Sequence, residues 1–321
     1  MLILPPPGGD GHRTPSDHKR GVMHDVQGGE TVSPKGRQSA LFDKRYQIAD
    51  KLGQGPYSVL FKALHVEMNR QVVLKFLTAA AHDRNPRERF RREARFLSLL
   101  SHPNTMAIYD FRWENVARPF IVTEYIEGQT LTALIEQGPL SPGRVVRLTR
   151  QLLAGLEEVH ARGLVHRDLK PDNIMITKDP NGDDLIKILD FGIASFIDGP
   201  PPGQPWQTIT TPGQIVGTPR YMAPEQLVGE PASTASDLFS IGLIFFEMLT
   251  GRRAFAGESP DAIMAQQFDP APVLNHDERD IHPMLIEIAR LATCKDPEGR
   301  MTDCEEFLMY LQGVDPDQLD G

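Results

Sequence analysis

The chain has 321 residues, 40% of them hydrophobic, and a formal net charge of −9. That is enough apolar material for a sizeable core and roughly two domains, while the acidic balance argues against a nucleic-acid partner. The chain has two cysteines without metal spacing, no run of eighteen apolar residues and no internal repeat. These features exclude a disulfide framework and a membrane anchor, and they predict a cytoplasmic protein with free, buried thiols at Cys294 and Cys304.

Residues 1–40 hold five prolines and seven glycines with no apolar period. Such a segment buries too little surface to offset its ordering entropy, so 1–43 reads as a disordered tail. LILPPPGG is short and lacks a basic start, which argues against a secretory signal. RYQIADKL and VLFKALH then alternate as two antiparallel strands around LGQGPYS. Gly53 and Gly55 remove Cβ atoms from that turn and allow close approach to phosphates, although a G-x-G hairpin alone is equally an ordinary turn. VVLK, ending at Lys75, reads as the next strand. The segment RERFRREARFLSLLSHPN has helical periodicity through Phe90, Ala94, Leu97 and Leu100. Glu93 borders that apolar face and is the candidate partner for Lys75; its alternative is a surface pair with Arg89 or Arg92.

HRDLKPDN, from His166 to Asn173, places a carboxylate, an ammonium and an amide in one loop, and DFG at Asp190 supplies a second carboxylate. Phosphoryl transfer needs positioning and positive charge more than covalent help, and this is a set of groups that supplies both. The Pro/Gly-rich stretch GPPPGQPWQTITTPGQIV reads as irregular backbone. LFSIGLIFFEML is too short to span a bilayer and suits a buried helix. After Leu311 a short polar end remains, 313–321.

In this order, with GTPRYMAPEQ at Gly217, DLFSIGLIFFEMLTG at Asp237 and KDPEGR at Lys295, the chain resembles the eukaryotic-like Ser/Thr protein kinases of bacteria from about Tyr46 to Leu311. The resemblance implies an α+β, bilobal fold over 44–312. Its small N-lobe, to about Thr123, is an antiparallel sheet with one key helix; its C-lobe, from about Glu127, is larger and mainly helical. It implies transfer of the ATP γ-phosphate to protein Ser/Thr hydroxyls with Mg²⁺, or Mn²⁺ in its place. Asp168 becomes the base, Lys170 the γ-phosphate contact, and Asn173 and Asp190 the metal ligands, while Lys75 and Glu93 form the ion pair that sets the phosphates. Leu52, Gly53, Gln54, Gly55, Pro56, Tyr57, Ser58, Val59 and Leu60 cover the nucleotide. Leu60, Val73 and Met175 sandwich the purine, Glu124 C=O and Ile126 N–H meet its edge, and Thr123 is the gatekeeper. His166 and Phe191 become packing residues stacked with Leu97 and Ile108, Asp237 an anchor for the catalytic loop, and Glu225–Arg300 a buried ion pair.

Two positions depart from the family pattern: Ser58 stands for the third glycine and Val73 for an alanine. Neither removes a charge or a metal ligand. Arg167 implies pairing with a phosphate on the activation loop, with Thr208, Thr210 and Thr211 as candidate sites, modified by a transient homodimer or in cis; Thr218 is assigned to the substrate platform. No membrane anchor is expected. A pseudokinase and a small-molecule kinase are the competing readings. Intact Lys75, Asp168, Asn173 and Asp190 argue against the first, and GTPRYMAPEQ, a platform for extended peptide, argues against the second.

Overall fold

Period-two alternation builds the first layer. β1 (Tyr46–Gln54) and β2 (Ser58–His65) run antiparallel, and the turn between them closes with the Gly55 N–H donating to Ser58 O at 2.8 Å. β3 (Arg70–Leu77), β4 (Ile108–Arg112) and β5 (Phe120–Glu124) complete a five-stranded sheet in the order β1-β2-β3-β5-β4. One face carries Val72, Leu74 and Phe76 into a cluster with Tyr46, Phe120 and Val122. Successive strand residues point to opposite faces, so Val73 and Lys75 lie on the other side. There they are paired across the ladder with Thr123 and Ile121. The computed structural model describes residues 41–55, 58–77, 98, 100–112, 119–190, 195–196, 219–255, 257, 259–268 and 281–320. The helix expected around Glu93 lies outside them.

The larger lobe begins at β6 (Gln129–Thr130) and α1 (Leu131–Ile135), which Thr130 Oγ1 caps by accepting the Ala133 N–H at 3.2 Å. α2 (Pro142–His160) buries one face and leads to β7 (Leu164–Val165). β8 (Ile174–Lys178) and β9 (Asp184–Ile188) pair antiparallel beside β6, and β10 (Ser195–Phe196) pairs with β7. α3 (Pro224–Leu227) precedes α4 (Thr234–Thr250), whose residues from Ser236 onward are all buried, as the apolar run predicts. α4 stops where Gly251 takes a φ of 66°, a left-handed cap favouring glycine. α5 (Pro260–Phe268), α6 (Pro283–Ala292), α7 (Cys304–Gln312) and α8 (Pro316–Leu319) surround it. Among the described residues no helix is long and apolar enough to cross a membrane. The bilobal α+β expectation is met.

Two details differ from the sequence reading. The polar end is built into the fold: Val314 is buried, and Asp320 Oδ1 accepts the Gly143 N–H at 2.8 Å, where Ser141 itself makes no side-chain cap for α2. Arg150 adds bonds to the carbonyls of Leu311 and Val314. Cys304 is buried as expected, but Cys294 is only half-buried.

Candidate active site

The loop after β7 is held from beneath by one carboxylate. Asp237, near the start of α4 and 1% exposed, accepts the backbone N–H of His166 at 2.8 Å and of Arg167 at 2.9 Å. His160 Nε2 approaches the same carboxylate at 2.9 Å. A carboxylate only accepts, so that nitrogen carries the proton, and Nδ1 faces the Cys304 thiol at 3.7 Å. Arg167 sits at a φ of 68°, a left-handed conformation that costs a β-carbon residue about 1–3 kcal/mol. The buried acid offsets that cost with two charge-assisted bonds. This is why an aspartate stands at the head of so apolar a helix.

His166 is fully buried and faces Leu189 O at 3.0 Å. Burial pushes its pKa down, against the pull of Asp237, which makes it a neutral packing residue. Ile108 packs against the core; Leu97 and Phe191, the rest of the expected stack, lie outside the described residues.

Pro171–Asn173 forms a tight 3-10 turn that folds Asn173 back onto Asp168. Lys170 Nζ stands 2.7 Å from Asp168 Oδ2. Asn173 Nδ2 donates to Asp168 O at 2.8 Å and to Oδ2 at 3.1 Å. Both partners are acceptors, so the amide nitrogen must face them and Oδ1 is left to meet a cation. Leu189 N bonds Asn173 O at 2.8 Å and brings Asp190 alongside. Asp190, at a φ of 40°, lies 2.5 Å from Lys75 Nζ, whose ammonium holds this carboxyl below its usual range.

Among the described residues no three His, Cys, Asp or Glu side chains gather into an all-protein metal cage. Asp190 and the Asn173 oxygen, which has no partner among the described residues, are instead the sparse oxygen set suited to a hard divalent ion completed by phosphate and water. Lys75 and Lys170 flank the set with positive charge. The donors fit a metal–nucleotide complex.

Leu60, Val73, Lys75 and Thr123 share one face of the sheet. Leu52 is 47% exposed, an unusual position for a leucine unless something apolar covers it. Gly53 pairs with Leu60 and Gln54 with Val59. Ser58 opposes Leu77 and makes the turn bond through its carbonyl, so its departure from glycine leaves the hairpin intact. Thr123 is buried, and its hydroxyl donates to Glu124 O at 3.3 Å. No acceptor for the Ile126 N–H is found among the described residues. Met175 lies on β8 opposite Lys187. Pro56, Tyr57, Glu93, Thr208, Thr210, Thr211 and Thr218 fall outside the described residues. Arg167 buries Nε and Nη2 without an acceptor among the described residues, and burial lowers its pKa against the opposing effect of Asp237.

Glu225 and Arg300 are paired as expected. Arg300 Nη1 donates to Oε1 at 2.9 Å, and Ser236 Oγ adds a bond at 2.7 Å. Burial alone would raise the Glu225 pKa, but the guanidinium outweighs it and the net shift is downward.

Sequence reasoning missed two features. A cavity of about 250 Å³ opens beside the loop that carries Asp168, lined by Pro171, Asp172, Arg220, Tyr221, Glu247 and Arg253. Glu247, 3% exposed, accepts the Tyr221 hydroxyl at 2.9 Å, and burial pushes its carboxyl up to about 7. The acid in FFEML was its only signal. The second is Lys187, which reaches Glu124 across 63 residues of chain.

Residues 46–311 match the protein kinase domain family. Among curated relatives, the chain is 34% identical over 279 residues to serine/threonine-protein kinase pkn3 of Myxococcus xanthus, covering 85% of this chain and 50% of that one. It is 38% identical over 280 residues to serine/threonine-protein kinase PknL of Mycobacterium bovis, covering 86% and 67%. With serine/threonine-protein kinase PknB of Mycolicibacterium smegmatis it shares 34% identity over 284 residues, covering 85% and 44%. The chain thus spans about half the length of the Myxococcus relative.

Proposed function

Because the chain belongs to the protein kinase family, we propose that it is a serine/threonine protein kinase, transferring the ATP γ-phosphate to hydroxyls of protein substrates. The observation that carries this reading is the Asp168 carboxylate with Lys170 and Asn173 both within hydrogen-bond reach of it, beside the Lys75–Asp190 pair. The family as a whole uses ATP and a divalent metal; Mg²⁺, with Mn²⁺ as its substitute, is the ion assigned here to Asn173 and Asp190. Bound there, the ion neutralises charge on the phosphates.

Asp168 is aimed by Asn173 and accepts the substrate hydroxyl proton as the oxygen attacks phosphorus. Lys170 moves from the carboxylate toward the transferred phosphoryl, where charge is spread over its oxygens. Lys75, with Glu93 as its assigned partner, positions the other phosphates. Leu52, Leu60, Val73 and Met175 enclose the purine, and Glu124 O and Ile126 N–H read its edge.

Loop phosphorylation at Thr208, Thr210 or Thr211, within a transient homodimer, is the assigned switch. The Arg167 guanidinium, with Nε and Nη2 buried and without an acceptor among the described residues, supports it, since a phosphate would supply an anion. Free thiols at Cys294 and Cys304 support a reducing, cytoplasmic setting. Mass spectrometry after incubation with Mg²⁺ and ATP tests the switch: new phosphate on those threonines supports it, and an unmodified loop on a protein that phosphorylates peptides refutes it.

A further inference from the structure

The Glu124 carboxylate does more than continue the strand that ends at the purine edge. Glu124 N donates to Ala107 O at 3.0 Å, and Ala107 N donates back to Glu124 Oε1 at 2.7 Å. This two-point grip ties the end of β5 to the segment entering β4. The same Oε1 takes a third bond, from Lys187 Nζ at 3.0 Å. Both side chains are largely withdrawn from water, at 14% and 16% exposure. A carboxylate so placed needs a cation to remain folded inward.

Lys187 is well sited to supply it. It lies on β9 directly opposite Met175, and opposed residues of an antiparallel pair project to the same face. The alternate residues Ile186 and Ile188 are buried in the core, so Lys187 lies on the opposite face of β9, turned toward Glu124 at the end of β5. Ile188 in turn bonds the backbone on either side of Thr105, through Asn104 O at 2.8 Å and Met106 N at 3.0 Å. Two residues beyond Ile188 is Asp190. On the other side, Lys62 of β2 covers the ring of Tyr125, the residue after β5, at 4.1 Å.

We propose that Lys187 is a positioning residue for the nucleotide. Its ammonium locks Glu124 onto Ala107, and so fixes the purine-facing carbonyl relative to the strand that carries Asp190. It touches neither the purine nor a phosphate. The inference rests on the proposed nucleotide site but not on phosphoryl transfer.

The test uses the full chain and two readouts that need no turnover: titration with a ribose-labelled fluorescent ADP, and hydrogen exchange of the Ala107 amide by NMR. Lys187→Met is expected to weaken ADP binding about fivefold, at the upper end of what one ion pair contributes. It is also expected to speed Ala107 exchange, with Lys187→Arg restoring both. ADP affinity and Ala107 exchange unchanged in Lys187→Met overturn the proposal. So does a Lys187→Arg variant as weak as Lys187→Met, because charge is then not the cause. If the methionine variant does not fold, Lys187→Gln carries the same expectations. Absence of phosphoryl transfer by wild type would count against the proposed function, while these two readouts alone decide the role of Lys187.

Discussion

Two buried acids of the larger lobe carry opposite pH signatures. Glu247 has its carboxyl raised to about 7 from an ordinary 4.5, so the folded state holds a proton that the unfolded state releases. Its stabilising contribution is full below 4.5 and is lost as pH rises through 7, about 3 kcal/mol at the limit. Glu247→Gln stays neutral and still accepts the Tyr221 hydroxyl. The melting temperature of the variant relative to wild type should therefore climb between pH 5 and pH 8; a gap that does not change with pH would contradict this environment. Glu225 is depressed instead, so its contribution is present at neutral pH and is lost on acidification. Asp168, Lys170 and Asn173 were legible because one octet carries them. Glu247 was not, because its chemistry arises from burial and from a tyrosine 26 residues away.

At the scale of elements, β1 and β2 were readable from alternation, and α4 from its apolar run. The role of the chain's last helix was hidden. A four-residue helix opening on Asp-Pro looks like a polar end, yet α8 brings Asp320 to cap α2. Asp320→Ala should cost about 1 kcal/mol, the usual worth of a lost cap, and lower the melting temperature by about 2–4 °C. Thermal melts of that single variant decide it; an unchanged midpoint would make the contact incidental. The Glu225–Arg300 pair joins α3 to the loop before α7, with Arg300 also bonding the carbonyls of Cys294, Lys295 and Ala235. Glu225→Ala leaves that guanidinium buried and unbalanced, at about 3–5 kcal/mol. Chemical denaturation should show a loss of that size; a loss below about 1 kcal/mol would mean the pair is solvated.

At the scale of the molecule, two lobes meet along a seam whose parts come from distant stretches of sequence. Asp237 holds the loop that carries Asp168, and Glu124, bonded to Ala107 and Lys187, ties β5 to β9. Motif order revealed the first, since an acid heading an apolar helix stands out. The second is a pair of common charged residues whose meeting depends on how β5 and β9 are brought together, and nothing local marks it. The proposed switch by loop phosphorylation is tested at this scale. Replacing Thr208, Thr210 and Thr211 together by alanine should lower peptide phosphorylation at least tenfold while leaving ADP affinity unchanged, because Arg167 then gains no anion. Full activity in that variant would place the switch elsewhere.

The central claim is phosphoryl transfer with Asp168 as base. Its most direct measurement is transfer of labelled γ-phosphate from ATP to a Ser/Thr peptide library, for wild type beside Asp168→Asn, with ADP affinity recorded for both. Wild type should transfer phosphate, the variant should lose at least about 10²-fold, and ADP binding should be equal. Equal transfer by both proteins, or ADP binding without transfer by wild type, would contradict it.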